Sequence, residues 1–287
     1  FIWSVFMSLD FNKIKNLYRF FNDEAYNLDG FEQSYLWFNE LSRFNDPFET
    51  IIKESDIDLD KLSIEELATF CKVNEGLSWH DIETGQTIFS SQVSYEALRG
   101  FIASRKEVVV EQLNEYVFKT MHSMQSNKFH CLVHDVDNKP LQSRLMWSHY
   151  SNGMRGFVIE FDCDLLLNSQ NSLNSSFKGM SDINYMELEF NEYIKSMVRD
   201  EKPLFLQHLI FTKHSDWKYE NEIRLIGGEN KMKYSDSAIK RIIIGEKMPQ
   251  PKLSHLLRII ENKGLENCTF VAKIERKSFS INLDKFY

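Results

Sequence analysis

Two glutamates and an arginine alternate in the segment WKYENEIRLI, residues 217–226. On a β-strand, where successive side chains point to opposite faces, Glu220, Glu222 and Arg224 share one face. The two carboxylates then lie roughly 6.6–6.8 Å apart along the chain, close enough to line one cleft. The same pattern fits a solvated strand face on which Arg224 pairs with one glutamate, so both interpretations stay open.

Arg19 stands between two aromatic residues in the apolar run LYRF, residues 17–20. The run predicts a short strand on which the arginine faces away from both aromatic neighbours. A guanidinium can bind a phosphate or a carboxylate through two parallel hydrogen bonds, which suits a dinucleotide. Alternatively, Arg19 pairs with Asp46 or Glu222 and serves only the scaffold.

The segment WSHY, residues 147–150, places an imidazole next to a phenol. Because an imidazole titrates near neutral pH, His149 could transfer protons. Capping of a turn is the simpler role for the same side chain, since residues 151–153 (SNG) have the composition of a turn.

Two short motifs correspond to parts of metal sites, and both are incomplete. HCLVH, residues 130–134, has metal-like spacing, but no second Cys/His cluster completes the three or four ligands that zinc requires. Glu275 and Lys277 in IERK match the end of a metal-dependent nuclease motif, but no aspartate on a preceding strand is suitably placed to hold Mg²⁺. We therefore predict no metal site and keep a nuclease as an alternative function.

The bulk composition limits the class of protein. The chain has 287 residues, of which 43% are hydrophobic and 26% charged, as expected for a globular protein with a large core. A net charge of −8 disfavours bulk affinity for nucleic acids and anionic membranes, although a local basic groove remains compatible with it. Four widely spaced cysteines predict a reduced, cytoplasmic protein. Residues 1–6 are too short to span a bilayer and are expected to be upstream or added sequence.

The pattern of apolar residues predicts one α+β domain over residues 7–287. Its central mixed sheet is built from LYRF, GFVIEFD, NEIRLI and RIIIG, and the run CTFVAKIERKSFSINL predicts a closing strand or hairpin. YLWF and FHCLV also predict strands, and LMWSHY belongs to the same strand-like region.

Helical signals concentrate in the middle of the chain. Apolar residues at helical spacing, after a capping pattern at Asp46 and Pro47, predict a helical insertion at about 50–127. A helix is expected around 203–213, and another in KLSHLLRIIENK is ended by Gly264. The segment 165–182 is rich in Asn and Ser, which predicts a surface loop.

Four segments, in this order, resemble a family of bacterial proteins known as domain of unknown function (DUF) 2971. They are LYRF, LWFNELSRFNDPFE, LMWSHYSNGMRGFVIEFD and KHSDWKYENEIRLI, and IIIGEK fits their continuation. The most specific strings are Asn-Asp-Pro-Phe, Trp-Ser-His-Tyr and Trp-x-Tyr-Glu-x-Glu-x-Arg. The chain departs from the family at FNEL, where small serines are usual.

The resemblance also implies similarity to ADP-ribosyltransferases, whose fold begins with an LYR-like strand that contacts NAD. A late strand of that fold supplies a glutamate, often as Glu-x-Glu. By this resemblance NAD is the cofactor, Glu222 faces its ribose to stabilise an oxocarbenium-like transition state, and Glu220 serves the acceptor. The cofactor-binding residues implied are Arg19, Tyr150, Lys213 and His149.

The implied partners are NAD and an unknown macromolecular acceptor. The same resemblance implies a bacterial toxin or phage-defence effector, with a protein partner or antitoxin as a further implication. Two alternatives stay open beside it, a metal-dependent nuclease and a non-catalytic sensor or interaction module.

Overall fold

The chain divides into two compact units. A computed structural model describes residues 9–44, 46, 63, 100, 103, 127–186 and 210–287. Unit 1 comprises Phe1–Arg43, Ser126–Ile183 and Asp216–Tyr287, and unit 2 comprises Phe44–Gln125 and Asn184–Ser215. The predicted insertion at about 50–127 and its capped start lie outside the described residues, apart from single positions.

An eight-stranded mixed sheet forms the centre of unit 1. Its order is β12-β11-β10-β4-β1-β3-β8-β5, and every neighbouring pair is antiparallel except β10 and β11. Outside it, β2 pairs with β9, and β6 pairs with β7 in unit 2. The described strands are β1 (Asn16–Phe21), β2 (Tyr35–Trp37), β3 (Lys128–His134), β4 (Phe157–Asp162), β5 (Gly179–Asp182), β6 (Asn184–Tyr185), β7 (Thr212–Lys213), β8 (Glu222–Gly227), β9 (Lys231–Lys233), β10 (Ile239–Gly245), β11 (Thr269–Glu275) and β12 (Ser280–Lys285).

Four α-helices have bounds within the described residues: α1 (Ala25–Glu32), α2 (Arg144–Tyr150), α3 (Cys163–Leu173) and α4 (Gln250–Lys263). The last of them ends at Gly264, whose φ of 67° is left-handed, so the predicted helix stop is confirmed. Among the described residues, no helix is long and apolar enough to cross a membrane.

The sheet separates two apolar layers, which we call face A and face B. Because side chains alternate along a strand, neighbouring residues of β1 belong to different layers. On face A, strand residues pack against Met146 and Trp147 of α2; they include Tyr18, Phe20, Val133, Val158 and Ile243. On face B, strand residues pack against α1, α3 and α4; they include Leu17, Leu132, Ile159, Ile223 and Ile242.

The α+β class and the central strands are confirmed. LYRF lies in β1, GFVIEFD in β4, NEIRLI in β8 and RIIIG in β10, all within the eight-stranded sheet. The closing segment forms β11 and β12, which pair as an antiparallel hairpin. These runs are strongly apolar or regularly alternating, so their periodicity alone identifies them.

Two local predictions are wrong. The segment 165–182 is not a loop, since most of it lies in α3 and β5. LMWSHY is helical, because the Ser143 hydroxyl accepts a hydrogen bond from the Met146 amide at 3.3 Å and starts α2. The helix expected around 203–213 lies mostly outside the described residues; Ile210 is helical, and Thr212–Lys213 at the end of that segment form the strand β7.

The α3 helix forms although its composition is typical of a loop. The Asp162 carboxylate accepts from the Leu165 amide at 3.0 Å and caps the first turn. Cys163, Leu166 and Gln170 are buried at helical spacing, and the Gln170 side chain donates to the Lys233 carbonyl at 3.0 Å. A cap and a buried stripe therefore outweigh the preference of Asn and Ser for turns.

Candidate functional site

The opening segment of the sequence is not one continuous strand. Ser215–Glu220 forms a 3₁₀ helix, and β8 begins only at Glu222. The prediction that Glu220 and Glu222 alternate on a single strand is therefore wrong. Both carboxylates are buried, so the alternative of a solvated strand face is wrong as well.

Asn221 makes the junction between the 3₁₀ helix and β8. Its φ is 44°, in the left-handed region that Asn tolerates better than most residues. Its carbonyl accepts from the His134 amide at 3.0 Å, and its side chain donates to the Tyr219 carbonyl at 3.2 Å. These bonds fix the left-handed junction that separates Glu220 from the strand.

The end of α2 contacts the end of the 3₁₀ helix through two side-chain pairs. The Tyr150 hydroxyl donates a short hydrogen bond to the Glu220 carboxylate. The ring nitrogen Nδ1 of His149 lies 2.9 Å from the Tyr219 hydroxyl, and the two rings meet edge to face. Three residues singled out from the sequence, Tyr150, His149 and Glu220, are thus brought together within unit 1.

Glu222 and Arg224 form a buried ion pair on face A. The Arg224 Nε atom donates to Glu222 Oε1 at 2.6 Å, and the two side chains are 0% and 4% exposed. The strand register places Val133 opposite Glu222 and Cys131 opposite Arg224. The pairing of Arg224 with a glutamate, considered as one possibility from the sequence, is confirmed in a buried setting.

The Cys131 thiol adjoins this ion pair. Burial raises its pKa well above the ordinary value, and the nearby Glu222 carboxylate, which accepts a hydrogen bond from the thiol, raises the pKa further. Cys131 is therefore protonated near neutral pH, and a protonated thiol is a poor nucleophile. We assign it the role of a hydrogen-bond donor to Glu222.

Arg19 does not share this surface. It alternates with Tyr18 and Phe20, which lie on face A, so Arg19 points to face B. There its guanidinium donates to the Cys131 carbonyl at 3.1 Å and lies 5.5 Å from the centre of the Phe21 ring. The expectation that Arg19 lies across one cleft from Glu222 is therefore wrong, because the sheet itself stands between the two side chains.

His130 accompanies Arg19 on face B. Its Nδ1 atom lies 2.8 Å from the Trp37 carbonyl, so that nitrogen carries the proton. Burial, and secondarily the Arg19 charge, lower the pKa of His130 to about 3. The neutral imidazole is therefore part of the native structure at physiological pH.

We expect His130 to make the protein sensitive to acid. The pKa of about 3 lies below the ordinary 6.5 that the unfolded chain retains. Between these two pH values the unfolded chain binds more protons, so the free energy of unfolding falls as the pH falls, by about 1.4 kcal/mol per pH unit. In urea unfolding measured at several pH values, the free energy of unfolding of His130→Phe should change less with pH than that of wild type, by that amount per pH unit. Equal slopes for both proteins between about pH 6 and pH 4 would contradict the assignment.

Lys213, expected to contact the cofactor, belongs to unit 2. It lies in the two-residue strand β7, where its carbonyl accepts from the Met186 amide at 3.0 Å. Its side chain is buried and has interaction partners. Its role toward NAD stays a prediction.

The metal-like motifs do not form clusters in the part of the chain that the structure describes. His130 and Cys131 are consecutive on β3 and point to opposite faces. Glu275 ends β11, and its carboxylate accepts from the Lys277 amide at 3.1 Å within the hairpin turn. Across residues 9–44, 127–186 and 210–287, no group of three His, Cys, Asp or Glu side chains could hold a metal ion.

A second buried charge cluster was missed from the sequence. Glu160 is 1% exposed and pairs with Arg241 through a short contact between β4 and β10. Burial raises the pKa of Tyr18, and the Glu160 carboxylate, which accepts a hydrogen bond from the Tyr18 hydroxyl, raises it further. A lone charge inside the apolar run FVIEFD was the signal, since an acid is rarely fully buried unless it is paired.

The fold and the site define an α+β protein whose mixed sheet holds a buried Glu–Arg pair beside a Tyr–Glu hydrogen bond. Residues 146–225 match the model of a family described as Protein of unknown function (DUF2971). The matched segment is less than a third of the chain, and it contains Tyr150, Glu220, Glu222 and Arg224. The match supports the resemblance to that family for this segment. The chain has no significant match among curated proteins or solved structures.

Proposed function

We propose that the protein is an ADP-ribosyltransferase-like enzyme that uses NAD, with Glu222 and Glu220 as its catalytic carboxylates. One observation carries the proposal: the two carboxylates lie on either side of Asn221, both are buried, and each has a hydrogen-bond partner. The guanidinium of Arg224 holds Glu222, and the hydroxyl of Tyr150 holds Glu220. Charges that are positioned and desolvated before reaction are the kind that stabilise a transition state.

The donor and acceptor chemistry of this cluster fits a ribose. Carboxylates accept hydrogen bonds from sugar hydroxyls, and a buried carboxylate favours a positive charge that develops nearby. NAD supplies the bond between ribose and nicotinamide that breaks as the acceptor is modified. Arg224 holds the Glu222 carboxylate in place through a charge-assisted hydrogen bond, and Tyr150 fixes the direction of the Glu220 carboxylate. His149, exposed at the end of α2, lies 2.9 Å from the Tyr219 hydroxyl beside this cluster.

The resemblance implies that Arg19 contacts the cofactor, and the proposed site differs on this residue. Arg19 lies on face B and is therefore left out of the cofactor site. This makes Glu222 and Tyr150, which both belong to the matched segment, the residues on which a test should concentrate. The same resemblance also implies a macromolecular acceptor, a toxin or phage-defence role, and a protein partner or antitoxin. We propose these roles on that resemblance alone.

A non-catalytic interaction module is the second candidate. The observation in its favour is that Arg224 already neutralises Glu222 in a buried pair, as in many structural ion pairs. The nuclease alternative is less well supported, because Glu275 is engaged with the backbone of its own turn.

We expect Glu222→Gln to reduce label transfer from NAD to lysate proteins by at least about 100-fold. The substitution keeps the shape of the side chain and removes the charge that acts on the transition state. The assay incubates the full chain with labelled NAD and cell lysate, with wild type and variant side by side. Transfer by Glu222→Gln at the wild-type rate, or no transfer and no NAD consumption by wild type, would rule out the proposal in favour of the interaction module.

Because Glu222 is buried and paired, a second variant separates activity from folding. Tyr150→Phe removes only the hydroxyl that donates to Glu220, and the side chain is half-buried. Transfer should fall by about tenfold, the typical contribution of one hydrogen bond to a charged group, while circular dichroism shows that the variant stays folded at the assay temperature. Tyr26→Phe is the matched control, since Tyr26 is exposed on α1 and should leave transfer unchanged.

A further inference from the structure

A cavity of about 240 Å³ lies in unit 1 between α2, the turn at residues 151–156 and the β11–β12 hairpin. The residues of the Glu220 and Glu222 cluster do not line it. Its walls are mostly apolar and include Trp147, Met154 and Ile281. The volume is below the usual range for drug-sized ligands and suits a single ring system with a small substituent.

The floor of the cavity is rigid. Trp147 is 1% exposed, and its indole N–H donates to the Leu141 carbonyl at 3.0 Å. Phe20 packs edge to face against the indole with ring centroids 5.5 Å apart. A wall fixed in this way offers a ligand a preformed surface, so little ordering entropy is lost on binding.

An exposed aromatic residue stands at the mouth. Phe279, at the tip of the β11–β12 hairpin, is 77% exposed and has a φ of 52°. A positive φ is rare for a bulky side chain and costs backbone energy. Ile274, on the adjoining strand, also lines the cavity and is 39% exposed. The hairpin thus presents two large apolar side chains to solvent beside an apolar cavity.

Two cations complete the lining. Arg144 and Lys247 both contact the cavity and are exposed. Among the described residues, neither side chain forms an ion pair or a hydrogen bond, although the chain as a whole has a net charge of −8. Positive charge is therefore concentrated at the mouth of an apolar cavity in an acidic protein.

We propose that this cavity binds a ligand consisting of one aromatic ring system that carries an anionic group. The ring would pack on the apolar walls and on Phe279, and the anion would bind between Arg144 and Lys247. A guanidinium and an ammonium both recognise carboxylates and phosphates, so the anion is of one of these two kinds. The site is separate from the proposed transferase centre and does not depend on it.

Calorimetric titration of the full chain with four probes tests this assignment and distinguishes the two sources of the anion. Adenosine monophosphate represents an aromatic phosphate, and 2-naphthoate an aromatic carboxylate. At least one of them should bind saturably, at least about tenfold more tightly than adenosine or inorganic phosphate, which each lack one half of the ligand. Saturable binding of neither aromatic anion up to about 1 mM would overturn the proposal.

Substitutions at exposed positions locate the binding. Arg144→Ala combined with Lys247→Ala should weaken binding of the anion by about tenfold per cation removed. Phe279→Ser should weaken binding of the aromatic anions and leave binding of inorganic phosphate unchanged. Arg258→Ala, an exposed cation on α4 that does not line the cavity, is the matched control. Unchanged affinity in the double variant, or affinity lost only in Glu222→Gln, would show that the anion binds elsewhere and would overturn the proposal.

Discussion

Arg224→Met is expected to lower the free energy of unfolding by about 3–5 kcal/mol, the usual effect of removing one partner from a buried ion pair. Arg224 is 0% exposed and its Nε atom lies 2.6 Å from Glu222 Oε1. Methionine fills much of the same volume but leaves the Glu222 carboxylate without its cation. The cost therefore comes from the stranded charge and not from a cavity.

Replacing both partners separates these two causes. In the double variant Glu222→Gln/Arg224→Met no charge is left behind, so at least half of the lost stability should return. Urea unfolding of wild type, the two single variants and the double variant completes a cycle that isolates the coupling energy. A loss below about 1 kcal/mol for Arg224→Met, the worth of an exposed pair, would contradict the buried arrangement.

The same ion pair bears on how ADP-ribosyl transfer should change in Arg224→Met. A carboxylate held by a guanidinium stays ionised in a buried site, which is a requirement for stabilising a developing positive charge. If Arg224 serves only stability, Arg224→Met should retain transfer in the fraction of protein that is folded. If it also orients Glu222, transfer should fall even where the fold persists, because the Glu222 carboxylate is then no longer held in position.

Much of the sheet could be predicted from the sequence, because its strands are short apolar or alternating runs. β4 is buried except at its last residue and β10 is buried from Ile242 to Gly245, and buried strands appear as continuous apolar segments. The α3 helix could not be predicted in the same way. Its stability comes from the Asp162 cap and from contacts of Leu166 and Gln170 with distant parts of the chain.

The candidate site was only partly predictable, for two physical reasons. A prediction from alternating side chains assumes an unbroken strand, whereas Asn221, with a left-handed backbone, separates a 3₁₀ helix that ends at Glu220 from a strand that begins at Glu222. The relative placement of Arg19 and Glu222 depends on the register of β1 with β3 and of β3 with β8. A shift of one residue in either pairing moves a side chain to the other face, and local patterns do not determine such a shift.

The Glu160 and Arg241 pair could have been found. Glu160 lies inside the apolar run GFVIEF, and Arg241 begins the run RIIIG; both runs were predicted to lie in the central sheet. Buried charges of opposite sign on strands of one sheet are expected to pair, since an isolated charge there is costly. The prediction needed was that β4 and β10 are neighbours, which the structure establishes through their antiparallel register.

The turn that leads into β4 approaches β1 so closely that a side chain would not fit. A Cβ atom placed on Gly156 would lie 1.8 Å from the Phe21 carbonyl oxygen and 2.9 Å from the Asn22 Cα atom. Both contacts are with backbone atoms, which cannot rotate away as a flexible side chain can. The same turn holds Ser151, whose hydroxyl donates to the Phe21 carbonyl at 3.1 Å. Only glycine, which has no Cβ atom, therefore fits between the turn and β1 at this position.

Gly156→Ala is accordingly expected to destabilise the protein by about 3 kcal/mol or more, at the upper end of overpacking effects. Gly264→Ala is the matched control: its Cβ meets no atom within 4 Å, but its φ of 67° is unfavourable for alanine, so a loss of about 1 kcal/mol is expected. Thermal and urea unfolding measure both variants. Similar losses for the two would mean that β1 and the turn separate easily. A much larger loss of stability for Gly156→Ala would show that the turn is fixed against β1. A rigid turn is what the proposed ligand cavity, whose floor is Trp147, requires.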